Sequence, residues 1–257
     1  MTTTPQPSST ELAQRLGANA FVCEVVSSTQ LSPTLREVVL AGHARELTGV
    51  AGNDVMLLVG TNDGHILRRR YSVRALDEQA DRFTLWITGA HDGAGASWAR
   101  DAHEGDQVDV VGPRGKIPLD PRADWHLFVG DVSGLSAFYR LAQSIEPPGR
   151  AIFIVEIDHG EDAVTAAFDE GIGVTGIFVD RQGRAPNDPA GLLSGLAAFE
   201  FPADRGHAYL FGEFSVIKVV RQALIDRGLD DGQISHKAFW RLGRGNAAHG
   251  EPDKSTN

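Results

Sequence analysis

Cysteine is nearly absent from the 257-residue chain, Cys23 being the only one. A single thiol excludes an intramolecular disulfide and any cysteine cage around zinc or an iron–sulfur cluster. Its surroundings, FVCEVV, read as strand core. Methionine is also scarce, with two residues, and no run of about 18 apolar residues offers a membrane-spanning helix. The opening MTTTPQPSSTELAQRLG holds neither a basic start nor an apolar stretch of the secretory kind, which predicts a cytoplasmic protein with a loose tail over 1–18. Positive charge is in deficit as well: 24 Lys and Arg face 34 Asp and Glu, a net charge of −10. That balance argues against nucleic-acid and membrane-surface partners, which reward broad basic faces. Any anion site has to be local.

One such place stands out. In LRRRYSVRAL, 67–76, three arginines adjoin a run that alternates like a strand. Side chains alternate with period two, so Arg69 and Tyr71 share one face, and Arg68 and Arg70 take the other. Arginine grips phosphate, and tyrosine stacks on a planar ring. For Arg68 and Arg70 the plain reading is an exposed basic edge strand, where charge deters sheet aggregation.

Around this stretch, short strand-like segments follow one another from Ala20 to about Gly115: FVCEVVSS, LREVVLAG, DVMLLVG, RRYSVRAL, RFTLWITG and DQVDVVG. Their spacing and turn residues predict a small antiparallel barrel, interrupted by one helix at SWARDAHEG. After PRGKIPLDPRAD the pattern changes to strands alternating with helices, from WHLFVGD and SGLSAFYRLAQSIE to ISHKAFW, which predicts a parallel sheet. The expected organisation is therefore two-domain, β followed by α/β: a tail over 1–18, a barrel domain over 19–122, a parallel-sheet domain over 123–245, and a disordered end over 246–257.

Two glycine motifs compete as a dinucleotide site. GIGVTG, 171–176, matches G-x-G-x-x-G, but a helix-like segment precedes it and a strand follows, the reverse of what the fingerprint needs, so it reads as a turn. HDGAGASWAR, 91–100, is the better one, since Gly93 and Gly95 lead into a helix start whose N–H groups and dipole favour an anion.

The pattern R-x-Y-S on a barrel strand, then a Gly-rich helix start, then an alternating α/β domain, resembles the ferredoxin-reductase-like flavoproteins. Within them it is most similar to the siderophore-interacting proteins, FAD-dependent reductases of ferric siderophores. The resemblance spans roughly Phe21 to Glu251 and includes RRRYSVRALD, GAGASWA, GDQVDVVGPRG, FVGDVSGLSAF, IFIVEID, LFGEFSVIKVVRQAL and FWRLGRG. It implies a flavin domain in the barrel and a nicotinamide-binding domain in the parallel sheet. Arg69 and Tyr71 would hold the flavin's phosphate and ring, with Ser72 near its reactive edge. Gly95, Ala96 and Ser97 would meet the pyrophosphate, and His91 the adenine-side ribose.

On the nicotinamide side the resemblance points to Asp131 and Ser133 at the end of FVGD. It also points to Glu213 in G-E, which either orients the nicotinamide or caps the next helix. Arg181 is a candidate for the cofactor's phosphates, and Glu156 and Asp158 lean toward NADH over NADPH. Arg241, with Lys237 and Arg244, would meet an anionic ferric siderophore. No protein nucleophile and no resident metal are implied, since electrons pass from NAD(P)H through FAD to chelated Fe(III). The chain departs from the family at Val132, where an acid is usual, and at Ser136, where a proline is usual. Two alternatives stay open: a flavoprotein acting on a small organic molecule, its nicotinamide use weakened at Val132, and, independently, a non-catalytic flavin- or siderophore-binding module.

Overall fold

A computed structural model of the chain describes residues 6–47, 51–89, 93–115 and 117–244. Its first half is a closed barrel built from β1 (Asn19–Gln30), β2 (Leu35–Ala41), β3 (Asp54–Asn62), β4 (His65–Asp77), β5 (Arg82–Thr88) and β6 (Gln107–Arg114). The strands are ordered β1-β2-β5-β4-β3-β6 around the barrel, all antiparallel. Alternation produces this shape: Phe21, Cys23 and Val25 on β1, and Phe83, Leu85 and Ile87 on β5, point inward to one apolar core. A helix, α2 (Ala94–Asp101), packs on that core through Ala99.

The expected loose tail is overturned over part of its length. Ser9–Leu16 form a helix, α1, whose start carries a capping box between Ser8 and Glu11. Its Leu12 and Ala13 pack on Met56 and Val111, which point outward from β3 and β6. Apolar residues on the barrel's outer face need this cover, so the segment before β1 folds onto them.

The second half is a five-stranded parallel sheet in the order β11-β10-β7-β8-β9. Its strands are β7 (Trp125–Asp131), β8 (Arg150–Ile157), β9 (Gly173–Asp180), β10 (Gly206–Glu213) and β11 (Ile234–Trp240). Every residue of β7 and β10 is buried, as the continuous apolar runs require when both faces are covered. Helix α3 (Leu135–Ala142) covers one face, and α4 (Ala190–Ala197) with α5 (Phe214–Asp226) covers the other. The chain moves outward from β7 through β8 to β9, then returns to lay β10 on the opposite side of β7. Ligands of such sheets bind at this switch point, outside the carboxyl ends of the strands. Asp131 and Glu213 end the two strands that flank it. Of GIGVTG, only Gly171 and Ile172 form the turn into β9, and Gly173–Gly176 begin the strand; a strand follows as expected, but the segment before it, 163–169, is not helical.

The halves share an apolar seam in which Leu35 and Trp86 of the barrel meet the cluster around Phe138 and Tyr139 of α3. Arg74 of β4 is buried there, its guanidinium 4.7 Å from the Trp86 ring, and it donates to Gln143 at 2.8 Å.

Candidate functional site

The three arginines of β4 have separate fates, decided by the two faces of the strand. Arg68 lies on the outer face and donates to the Pro7 carbonyl at 2.8 Å, under the chain that leads into α1. Arg70 forms a two-pronged pair with Asp54 at 2.7 and 2.8 Å, and its side chain is only 8% exposed. Neither belongs to an exposed edge, because β4 is bonded to β3 on one side and β5 on the other. The edge-strand reading fails for both.

Arg69 and Tyr71 face the barrel side, opposite Leu57 and Val55 in register. There they meet α2. A Cβ placed on Gly95 would lie 1.9 Å from the Tyr71 hydroxyl and 3.2 Å from Arg69 Cγ, so only glycine lets the helix come this close. Burial pushes the Tyr71 phenol above its ordinary pKa, and the hydroxyl has no hydrogen-bond partner among the described residues. The start of α2 has no side-chain cap either, since its cap residue is Gly93. Uncapped helix N–H groups and a phenol hydroxyl thus meet at one cleft beside the Arg69 side chain, whose Nη1 donates to the Arg68 carbonyl at 2.7 Å, an arrangement suited to phosphate oxygens. Gly95, Ala96 and Ser97 stand in the first turn as the sequence places them. His91 lies outside the described residues.

Ser72 follows Tyr71 and connects the two halves. Its carbonyl accepts a hydrogen bond from Ser136 Oγ at 2.9 Å, at the start of α3. The departure at Ser136 therefore supplies a hydroxyl link that a proline lacks.

At the switch point the structure gives the carboxylates internal work. Asp131 Oδ1 accepts from the Ser133 amide at 2.9 Å and from the Ser133 hydroxyl at 2.5 Å. Its Oδ2 accepts from the Glu213 amide and from Trp240 Nε1, each at 3.0 Å. Glu213, 1% exposed, caps α5 through Oε2 with the amides of Ser215 and Val216, while Oε1 accepts from the Leu242 amide at 3.2 Å. Of the two roles weighed for Glu213, capping is the one the structure displays. Gly212 is required here, since a Cβ would stand 2.6 Å from Asp131 Oδ2 at a φ of +152°. Val132 is 4% exposed in the seam's core, so an acid at this position would be buried among apolar side chains.

Other candidates are placed differently from expectation. Arg181 is buried and ion-paired with Glu156 at 3.0 Å and with Asp158, so it is not presented to a cofactor phosphate. The same pairs occupy the two carboxylates that leaned toward NADH, and that lean lapses. Lys237 bonds Asp54 Oδ2 at 2.8 Å, joining β11 to the barrel. Arg241 lies 4.8 Å over the Phe214 ring, and Arg244 is exposed beyond it.

Sequence reasoning missed Asp54, which binds both Arg70 and Lys237, and Trp240, which reaches Asp131. No local signal marks either, because their partners lie far along the chain. It also missed Arg74, whose burial against Trp86 alternation alone does not reveal.

Residues 123–243 match the family model described as siderophore-interacting protein, and residues 52–117 match that of the siderophore-interacting FAD-binding domain. Together the two models span most of the chain, one on each half of the fold. The chain belongs to the siderophore-interacting protein family. Among solved structures, a siderophore utilization protein from T. fusca superposes with a TM-score of 0.76 at 25% identity, covering 90% of this chain and 96% of that one. An uncharacterized protein of Mycobacterium tuberculosis is 28% identical over 68% of this chain and 65% of its own length. The ferric vibriobactin reductase of Vibrio cholerae is 24% identical over 71% of this chain and 68% of its own. The match thus covers slightly less than two thirds of the mycobacterial relative. The residues of this family member fit FAD: the Tyr71 hydroxyl, without a hydrogen-bond partner among the described residues, the α2 start with no side-chain cap and the room kept by Gly95 suit a flavin dinucleotide's phosphates.

Proposed function

We propose that the protein is a reductase of ferric chelates that holds FAD in the cleft between β4 and α2 and draws electrons from NADH or NADPH. When bound, FAD supplies the chemistry of accepting a hydride and passing electrons on singly. The chain's own part is positional and electrostatic. Arg69 and the α2 amides hold the phosphates, Tyr71 lies along the flavin, and Ser72 stands at the junction of the halves. The switch point between β7 and β10 is the place for a nicotinamide nucleotide, and Arg241 beyond β11 is the cation for an anionic ferric siderophore. The single observation that supports this reading best is the Ser136–Ser72 hydrogen bond, because it seats the switch-point loop against the flavin strand. Kinship with the ferric vibriobactin reductase supports iron as the electron acceptor.

The test is an absorbance spectrum of the FAD-loaded protein under anaerobic NADH or NADPH, followed by a ferric chelate with a ferrous trap. Bleaching of the flavin, then return of colour with Fe(II) captured, is expected. A flavin that binds yet is neither bleached by a nucleotide nor reoxidised by the chelate would sink the proposal.

One observation favours a second reading, a flavoprotein with weakened nicotinamide use. The carboxylates of Asp131 and Glu213 are engaged by Trp240 and Leu242 of the C-terminal segment. Under this reading the flavin photoreduces readily but bleaches slowly with either nucleotide.

A further inference from the structure

The parallel sheet ends on two edges that differ in kind. β11 carries His236 and Lys237, and Lys237 ties that edge to Asp54 of the barrel. Charge on an edge strand, or cover over it, keeps it from pairing with another chain. β9 has no such charge: Gly173 to Val179 hold no ionisable side chain, and Val174 is 44% exposed among them. A Cβ at Gly176 would meet nothing within 4 Å, so the strand is open there.

The two ends of the β8–β9 ladder show which backbone groups of β9 are free. Gly173 N–H donates to the Gly149 carbonyl at 3.1 Å and Arg181 N–H to that of Ile157 at 2.8 Å, so the odd-numbered residues bond β8. Val174, Gly176 and Phe178 therefore turn their N–H and C=O groups away from β8, toward no other strand among the described residues. Their side chains share one face of the sheet, in register with Ala151, Phe153 and Val155.

We infer that β9 is the interface for a second copy of this chain, the two β9 strands pairing antiparallel about a twofold axis at Gly176 and joining the two sheets into one. Gly176 then faces Gly176, and Val174 of each copy faces Phe178 of the other. All three are hydrogen-bonded pairs, because each residue presents its backbone outward, and a branched side chain opposite an aromatic one is a favourable cross-strand pair. Charge selects this register over its neighbour. An axis at Thr175 would set Glu170 opposite Asp180, both exposed, whereas the axis at Gly176 sets Glu170 opposite Gln182 with Arg184 diagonal to it. Acid before the strand, at Asp169 and Glu170, and a base after it, at Arg184, make the edge complementary to itself, as a twofold interface requires. β8 stands between β9 and β7, so the switch point lies outside the contact.

Sedimentation velocity of the full chain over a dilution series should give the mass of two chains, falling to that of one on dilution. Gly176→Lys sets two lysines face to face on the axis, at a position with room for a side chain, and Val174→Lys puts charge into the apolar row. Each should halve the mass at concentrations where the wild type is paired, with the far-ultraviolet circular dichroism unchanged. Gly176→Cys reads the register, since Cα atoms of a hydrogen-bonded antiparallel pair lie about 5.5 Å apart, within disulfide reach. Cys23, 1% exposed, offers no competing link. Mild oxidation should join two Gly176→Cys chains and leave the wild type unjoined. A wild type with the mass of one chain throughout would overturn the proposal and leave the edge to a strand of another protein. Folded lysine variants that stay paired, or Gly176→Cys chains that stay unlinked in a paired protein, would overturn it equally.

Discussion

Ser136 Oγ donates to the backbone carbonyl of Ser72 at 2.9 Å, joining the first turn of α3 to the strand that carries Arg69 and Tyr71. The two residues lie 64 positions apart, one in each half of the fold. Ser136→Ala should therefore lower the unfolding free energy by about 0.5–1.5 kcal/mol, the net worth of a typical hydrogen bond, without changing FAD affinity. Urea unfolding beside a flavin titration reads both. A loss of flavin with no loss of stability would mean that Ser136 acts on the cofactor directly.

Gly95 keeps α2 against Tyr71. Gly95→Ala drives a methyl into the phenol oxygen and should weaken FAD binding by about tenfold or more, since overpacking of this kind costs about 1–3 kcal/mol. Removing the oxygen in the pair Gly95→Ala with Tyr71→Phe should recover part of that loss. If the double variant binds FAD no better than Gly95→Ala alone, the contact does not set the cleft's width.

Asp54 is 7% exposed at its side chain and holds Arg70 and Lys237 together. Asp54→Asn leaves two cations short of their counter-charge, one of them buried, and should cost about 3–5 kcal/mol of stability. Lys237→Ala, removing the more exposed partner, should cost much less. Chemical denaturation of the two variants decides whether Lys237 is chiefly a strut between the halves, and chelate kinetics of Lys237→Ala decides whether it also meets substrate.

Acid should weaken the fold through the lower end of the parallel sheet. Burial, with the neighbouring His207 adding to it, holds the His126 imidazole down to about 4, and burial lowers His207 too, with Asp120 opposing in both cases. Asp120 is itself held low by its bonds to Arg122, and Arg205 stands 3.6 Å from it. A histidine buried neutral binds its proton more readily in the unfolded chain. Its contribution is thus complete above about pH 6.5 and is lost as the pH falls toward 4, by at most about 3 kcal/mol. Urea midpoints at about pH 7.5 and about pH 5 should differ accordingly, and His126→Phe should shrink the difference. An unchanged difference in that variant would assign the acid sensitivity elsewhere.

Much of this was legible from local pattern. Alternation in FVCEVV and RFTLWI gave inward-facing strands, and continuous apolar runs in WHLFVGD and HAYLFGE gave strands covered on both faces. The R-x-Y spacing fixed which arginine shares a face with Tyr71, and the glycines before Ser97 marked a helix that approaches closely. The helix at Ser9–Leu16 was also readable, because Ser8 and Glu11 form a capping box just before Leu12 and Ala13. Its polar, proline-bearing approach led to a loose tail instead. What local pattern does not carry is pairing across the fold. Lys237 finds Asp54 across 183 positions and Trp240 finds Asp131 across 109, so only folding reveals which carboxylates are already engaged. Arg181 was misplaced for the same reason: its partners Glu156 and Asp158 sit on the neighbouring strand's end, reached only once β8 and β9 align.

Arg241 is the remaining bet on substrate. Arg241→Glu should raise KM for an anionic ferric chelate and spare a neutral one, and added salt should narrow the difference, since screening over about 8–10 Å weakens exposed charge interactions. Equal loss with both chelates would make its contact with Phe214 a structural one.

The account turns on a flavin phosphate held by Arg69, and the affinity of the Arg69→Ala variant for FAD, measured by calorimetry against the wild type, tests it most directly. A loss of about 1.5–3 kcal/mol, as for a charge-assisted hydrogen bond, with the urea midpoint unchanged, is the predicted result. FAD binding of equal strength in the two proteins would contradict it.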